Sequence, residues 1–187
     1  MIAQLRLHHF EPASRANGPG TRSVLWLQGC TLSCPGCFNP LTHPRDGGSL
    51  CSMDEILGWI LAQREQIEGI TISGGEPLQQ AAQLGVLLRA VKQAAPLSVV
   101  LLTGFTWAEV NRLPGVAEVL TSVDVLLAGR YDAAKRIASG LLGSSNKSMH
   151  FLPPRYTQAD LDQVPEAEIL IHPDGEIRFS GIEPLQW

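Results

Sequence analysis

The chain has 187 residues, 44% of them hydrophobic, and 14 basic against 18 acidic side chains give a formal net charge of −4. That size fits one domain with a sizeable core, and the composition excludes a disordered chain. The acidic balance argues against a nucleic-acid partner, no apolar run reaches the roughly 18 residues of a membrane span, and residues 1–18 lack the apolar stretch of a secretory signal.

In chain order, Ile2, Leu5 and Leu7 alternate as in a strand, followed by a Pro- and Gly-bearing loop. Ser23–Leu27 (SVLWL) predicts a short strand that ends at Gln28-Gly29, so the cysteines that follow lie on a loop at its C-terminal end. Ser52 and Glu55 form a capping box for a helix carrying Met53, Ile56, Leu57, Ile60 and Leu61 on one face. Ile67–Ser73 predicts a strand running into Gly74-Gly75-Glu76-Pro77, and a second helix spans about Leu78–Ala94 until Pro96 stops the pattern. Ser98–Thr103 predicts a buried strand ending at Gly104, Thr106 and Glu109 cap a short helix, and Ser122–Ala128 predicts another strand ending at Gly129. Strand and helix signals alternate through four units, which predicts a parallel sheet with helices outside and a ligand edge at the C-terminal ends of the strands. Ile169–Ile171, the turn Pro173-Asp174-Gly175 and Ile177–Phe179 predict a C-terminal hairpin.

Cys30, Cys34 and Cys37 stand in the spacing C-x3-C-x2-C within one loop. Three soft thiolates so close can hold iron at three corners of a cubane cluster and leave the fourth open. Structural zinc is a rival, but it wants a fourth ligand, and His43 and Cys51 do not give the usual paired spacing. A redox dithiol at Cys34 and Cys37 leaves Cys30 unexplained, and Cys51 reads as an ordinary loop or core residue. Clustered thiols in a chain with four cysteines point to a reducing, cytoplasmic setting rather than a disulfide framework. The five histidines show no ligand spacing and read as structural or solvated, and Trp26, Trp59 and Trp107 as packing.

The stretch Asn17–Pro40 resembles the radical S-adenosylmethionine (radical SAM) activating enzymes of glycyl radical enzymes, on GPG, an arginine, an apolar strand, QGC, two further cysteines and Asn-Pro. TISGGEP (Thr71–Pro77) is similar to that family's SAM-binding segment. LLTGFTW (Leu101–Trp107) and GSSN (Gly143–Asn146) resemble the activators of anaerobic ribonucleotide reductase in particular. The resemblance implies a partial TIM-like β/α barrel over residues 1–187, its core at about 17–150 and an extension at about 151–187. It also implies a [4Fe–4S] cluster on Cys30, Cys34 and Cys37, with SAM chelating the fourth iron.

Gly74, Gly75 and Glu76 are the implied SAM-binding residues, although the glycines alone read as a strand-to-helix turn. Asn39, Thr103 and Gly104 are further candidates, each with a plain turn role as the alternative. Reductive cleavage of SAM to a 5′-deoxyadenosyl radical is the implied activity. A glycyl radical enzyme such as anaerobic ribonucleotide reductase is the implied partner, with flavodoxin or ferredoxin as electron donor. A radical SAM enzyme for a small molecule or peptide, and a plain iron–sulfur or zinc module, are the alternatives. Ala128 departs from the resemblance, which has an acidic residue before the glycine.

Overall fold

The structure, a computed structural model, describes residues 4–182, so Ile2 lies outside the described residues. Its strands are β1 (Gln4–Ser14), β2 (Arg22–Leu27), β3 (Ser49–Ser52), β4 (Gly69–Gly74), β5 (Ser98–Thr103), β6 (Val125–Ala128), β7 (Arg136–Ser139), β8 (Leu142–Ser144), β9 (Ser148–Phe151), β10 (Ala167–Ile171) and β11 (Ile177–Gly181). The helices are α1 (Met53–Ala62), α2 (Ala81–Ala94), α3 (Trp107–Val110), α4 (Val116–Leu120) and α5 (Gln158–Asp162).

Seven strands form the main sheet in the order β3-β1-β2-β4-β5-β6-β9. β2, β4, β5 and β6 are mutually parallel, as their alternation with helices predicts, and each crossover carries a helix against the sheet. The flanks differ from a purely parallel expectation: β1 and β3 pair antiparallel on one side and β9 on the other. The fold is therefore mixed α/β with a parallel centre. β10 and β11 form the predicted hairpin, and β7 and β8 a second one.

Local chemistry sets the ends of these elements. Ser52 accepts the Glu55 amide and Glu55 reciprocates at the start of α1; Thr106 and Glu109 do the same for α3. The second helix begins later than its apolar pattern suggests, because Pro77 opens a 3-10 turn over Pro77–Gln80 before α2. The expected strand Ser122–Ala128 starts only at Val125, since the Asp124 carboxylate accepts the Val99 amide at 2.7 Å and the Lys92 ammonium at 2.7 Å.

The sheet has two unlike faces. Ile56 and Ile60 of α1 and Leu84, Leu87, Leu88 and Val91 of α2 pack on Leu25, Leu27, Ile70, Ile72, Val99 and Leu101 as one core. On the other face, Val100, Val125 and Leu127 meet Leu141, Leu161 and Val164 in a smaller one. Trp26, Thr71 and Ser73 of β2 and β4 face a cavity instead. A bulge in β1 between Leu7 and His9 breaks the alternation there, and His9 and Glu11 line the same cavity. The tryptophans are less buried than expected: Trp26 stacks on His9, Trp107 on His150, and Trp59 is 39% exposed beside Phe10. No described helix is long and apolar enough to cross a membrane.

Candidate functional site

β2 delivers its C-terminal end to the cysteine loop, and that loop is pinned by backbone hydrogen bonds. Gly29 N donates to the Thr42 carbonyl at 2.8 Å, Cys30 N to the His43 carbonyl at 3.0 Å, and Cys37 N closes a turn on the Cys34 carbonyl at 3.1 Å. Gln28 stitches the loop from beneath, its Nε2 donating to the Leu41 and Pro44 carbonyls and its Oε1 accepting from His8 Nδ1 at 2.8 Å. Gln79 reaches back from the 3-10 turn to Thr31 at 2.6 Å.

Cys30, Cys34 and Cys37 are free thiols of intermediate exposure on the wall of one cavity of about 550 Å³. That volume lies within the roughly 300–1,000 Å³ of small-molecule sites. Burial pushes the Cys30 thiol up, against a 3.5 Å hydrogen bond from the Leu32 amide. Metal binding at this thiol therefore has to displace a held proton. His43 Nε2 lies 3.3 Å from Cys37 Sγ, closer than its sequence spacing suggests. Among the described residues no group of three or more His, Cys, Asp or Glu side chains stands close enough together to hold a metal ion. The thiols share a wall, and their soft donor chemistry on one pinned loop fits an iron–sulfur cluster. Cys51 sits on β3, away from this wall.

Gly74 and Gly75 line the cavity beside the thiols. Their lack of a side chain has a cause inside the protein. Gly74 has φ +109°, and a Cβ on Gly75 would lie 2.4 Å from the Gly29 carbonyl oxygen. Gly75 N donates to the Leu27 carbonyl at 2.8 Å and Glu76 N to the Gly29 carbonyl at 2.9 Å, so the glycine segment is laced onto the cysteine loop.

Glu76 is not on the cavity wall. It is 1% exposed, and its Oε1 accepts from Leu78 N at 2.9 Å and from the Thr103 hydroxyl at 2.7 Å, while Oε2 accepts from Gly104 N at 2.7 Å. Burial pushes its carboxyl up, opposed by those three hydrogen bonds. Thr103 and Gly104 do line the cavity. Asn39 lines it too; its carbonyl accepts from Thr42, and its side-chain amide makes no hydrogen bond with another described residue. Four of the wall's residues carried no sequence signal as site residues: Lys147, His9, Glu11 and Arg178. Arg178 comes from the C-terminal hairpin, which is seated on the end of β1 and the residues just after it, Glu168 holding Ser14 and Arg15 and Ser180 holding Asn17.

Parallel strands that bring three thiols and a glycine pair to one cavity describe an α/β protein built for an iron–sulfur cofactor. The chain belongs to the radical SAM activating-protein family: the profile described as "4Fe-4S single cluster domain" matches residues 16–150. It is 31% identical to the anaerobic ribonucleoside-triphosphate reductase-activating protein of Salmonella typhi over 155 residues, 79% of this chain and 99% of that one. The protein of the same description from Escherichia coli K12 is 30% identical with the same coverage. A putative glycyl-radical enzyme activating enzyme of Haemophilus influenzae is 38% identical over 88 residues, 46% of this chain and 34% of that one. The crystal structure of QueE from Escherichia coli aligns at a TM-score of 0.46 and 17% identity, covering 55% of this chain and 54% of that one. The cofactors of this class are a [4Fe–4S] cluster and SAM.

Proposed function

We propose that the protein generates a glycyl radical on a partner enzyme, with anaerobic ribonucleotide reductase as the partner. The single observation that carries this reading is the meeting of Cys30, Cys34, Cys37, Gly74 and Gly75 on one cavity wall, in a chain whose relatives are activating proteins. Cys30, Cys34 and Cys37 hold the cluster, and Gly74, Gly75, Asn39, Thr103 and Gly104 form the bed for SAM. Glu76 acts through Thr103 and Gly104 as a positioning residue. When bound, cluster and SAM together supply a 5′-deoxyadenosyl radical.

The chain's own residues do the rest. The Gly29–Thr42 and Glu76–Gly29 hydrogen bonds fix the cysteine loop against the glycine segment, so the two halves of the site keep one spacing. Trp26, Leu102 and Leu141 give the cavity apolar walls that exclude water. In this reading residues 1–187 are a single domain, a partial barrel with its core at about 17–150 and an extension at 151–187. Flavodoxin or ferredoxin supplies the electron in the cytoplasm.

The test mixes reconstituted protein, reductant, SAM and anaerobic ribonucleotide reductase without oxygen. A glycyl radical signal by electron paramagnetic resonance is expected. SAM cleavage without that signal would overturn the partner, and absence of 5′-deoxyadenosine from a fully cluster-loaded protein would overturn the enzyme itself.

A further inference from the structure

We infer that His43 donates a hydrogen bond to the Cys37 sulfur of the bound cluster and thereby raises the cluster's reduction potential; the inference rests on Cys37 being a cluster ligand, as proposed above. His43 Nε2 stands 3.3 Å from Cys37 Sγ. The backbone brings the ring there and holds it. After Cys37 the chain reverses through the 3-10 turn Pro40–Thr42, where the Thr42 amide and hydroxyl both donate to the Asn39 carbonyl, at 3.1 and 2.7 Å. His43 N then donates to the Pro40 carbonyl at 3.1 Å, and the His43 carbonyl accepts from Cys30 N at 3.0 Å. The residue is thus tied at both backbone groups, one of them to the first cysteine, while its ring meets the third.

Iron binding fixes which atom donates. A free thiol and an imidazole nitrogen can bond in either direction. A cysteine sulfur on iron has given up its proton and only accepts, so Nε2 is the nitrogen that carries the hydrogen. The iron behind Cys37 takes its protein ligand from Cys37 itself, which leaves the nearby imidazole as a partner of the sulfur. Cys30 Sγ has a donor too, the Leu32 amide at 3.5 Å, but that group belongs to the backbone. The His43 ring can be exchanged while the ties of its backbone to Pro40 and Cys30 stay in place.

An N–H aimed at a ligand sulfur stabilises negative charge on the cluster. The reduced cluster holds one electron more than the oxidised one, so the bond is stronger in the reduced state and the potential rises. A cluster with a higher potential accepts its electron from a weaker reductant. His43 is therefore a positioning residue that acts through Cys37 and sets how readily the site is charged with its electron.

The test is a redox titration of cluster-loaded wild type, His43→Leu and His43→Gln without SAM, read by electron paramagnetic resonance of the reduced cluster, with iron and sulfide content determined for each. At a fixed potential His43→Leu is expected to lower the ratio of reduced to oxidised cluster roughly threefold to tenfold, about 30 to 60 mV for one electron. His43→Gln keeps a donor at the end of the side chain and should stay within about twofold of wild type. Equal potentials in wild type and His43→Leu overturn the inference, and so does a loss in His43→Gln as large as in His43→Leu, since the ring's bulk would then matter and its N–H would not. A His43→Leu protein that holds less iron than wild type also overturns it, because the ring would then serve cluster retention. Pulsed measurements of the reduced wild type should show only weak nitrogen coupling; the strong coupling of a directly bound nitrogen, abolished in His43→Leu, would place His43 on the open iron and overturn the inference. A wild type with no [4Fe–4S] cluster would instead overturn the assignment of Cys37 and the proposed function, and this inference with them.

Discussion

Glu76 accepts a 2.7 Å hydrogen bond from the Thr103 hydroxyl, which ties the loop after β4 to the end of β5 directly below the cavity. The carboxylate is nearly fully buried, and its other two acceptor contacts are backbone amides at Leu78 and Gly104. The acid of the GGEP segment is thus a brace between two strand ends, and the ligand-facing surface above it is glycine and threonine.

Glu76→Gln should destabilise the protein by about 1–3 kcal/mol, because the amide nitrogen would face the Gly104 N–H and leave a buried donor unpaired. Thr103→Val removes two bonds, the one to Glu76 and the 3.1 Å one that its hydroxyl accepts from Phe105 N, and leaves Leu78 N still satisfied, at about 1–3 kcal/mol. The two residues touch, so the double variant should cost less than the sum. Urea unfolding of all three proteins reads this directly; additive losses would contradict the brace.

Arg22 anchors the opposite edge of the same strands. It is fully buried, and its guanidinium donates to Thr71 Oγ1 at 2.9 Å, Pro19 O at 3.1 Å, Ser98 Oγ at 2.9 Å, Ile70 O at 2.7 Å and Ser98 O at 3.0 Å. All five N–H groups are used, and every acceptor is neutral. Arg22→Met leaves several buried carbonyls unpaired and should cost roughly 3 kcal/mol or more. Arg22→Lys should recover only part of it, since a point charge cannot span β2, β4 and β5 at once. An unfolding midpoint within error of wild type for Arg22→Met would refute this.

The parallel centre of the fold was legible in the sequence because β2, β4 and β5 are short apolar runs closed by glycine-bearing loops. The capping boxes at Ser52 and Thr106 were legible for a similar reason: they are local and depend on side chains three residues apart. β3, β7, β8 and β9 were not legible, being three or four residues long with mixed burial that gives no period. The cysteine and glycine segments announced themselves by motif. Lys147, His9 and Arg178 did not, because they reach the cavity through a chain reversal, a bulge and a hairpin that only tertiary structure supplies. The histidines illustrate the same limit, since no sequence spacing signalled that His43 would lie beside Cys37.

Acid should loosen α3 before the rest of the protein. The hydrogen bond from Arg130, with those of Thr106, holds the exposed Glu109 carboxyl down at about 2, from an ordinary value of 4.5. A lowered folded-state pKa adds stability above the unfolded value and loses it as pH falls through the folded one, so the loss runs from about pH 4.5 to 2. Melting curves across that window should fall more steeply for wild type than for Glu109→Gln, with the difference small because the pair is exposed. Parallel curves would show that the contact is not formed in solution.

The C-terminal hairpin lies beyond the family match at residue 150, yet it forms part of the cavity wall. Its attachment to β1 is polar. Glu168 accepts from the Ser14 hydroxyl and, at 2.9 Å, from the Arg15 amide, while Asn17 Nδ2 donates to Ser180 Oγ at 2.6 Å. Arg178 and His172 each stand 3.6 Å from the buried Glu11 carboxylate. Ile171, Ile177 and Phe179 remain exposed, so little apolar burial reinforces these bonds. Glu168→Ala should therefore free the hairpin without unfolding the sheet. Amide exchange should rise at least about tenfold in β10 and β11 and stay unchanged in β2, β4 and β5, as expected for a local opening unit. Trp26 offers a second reading, since it stacks on His9 at 5.5 Å and His9 contacts Arg178 at 2.6 Å; its emission should shift to the red as water enters. Exchange that rises equally in the central strands would mean that the hairpin is part of the sheet's global stability and not a separately attached wall.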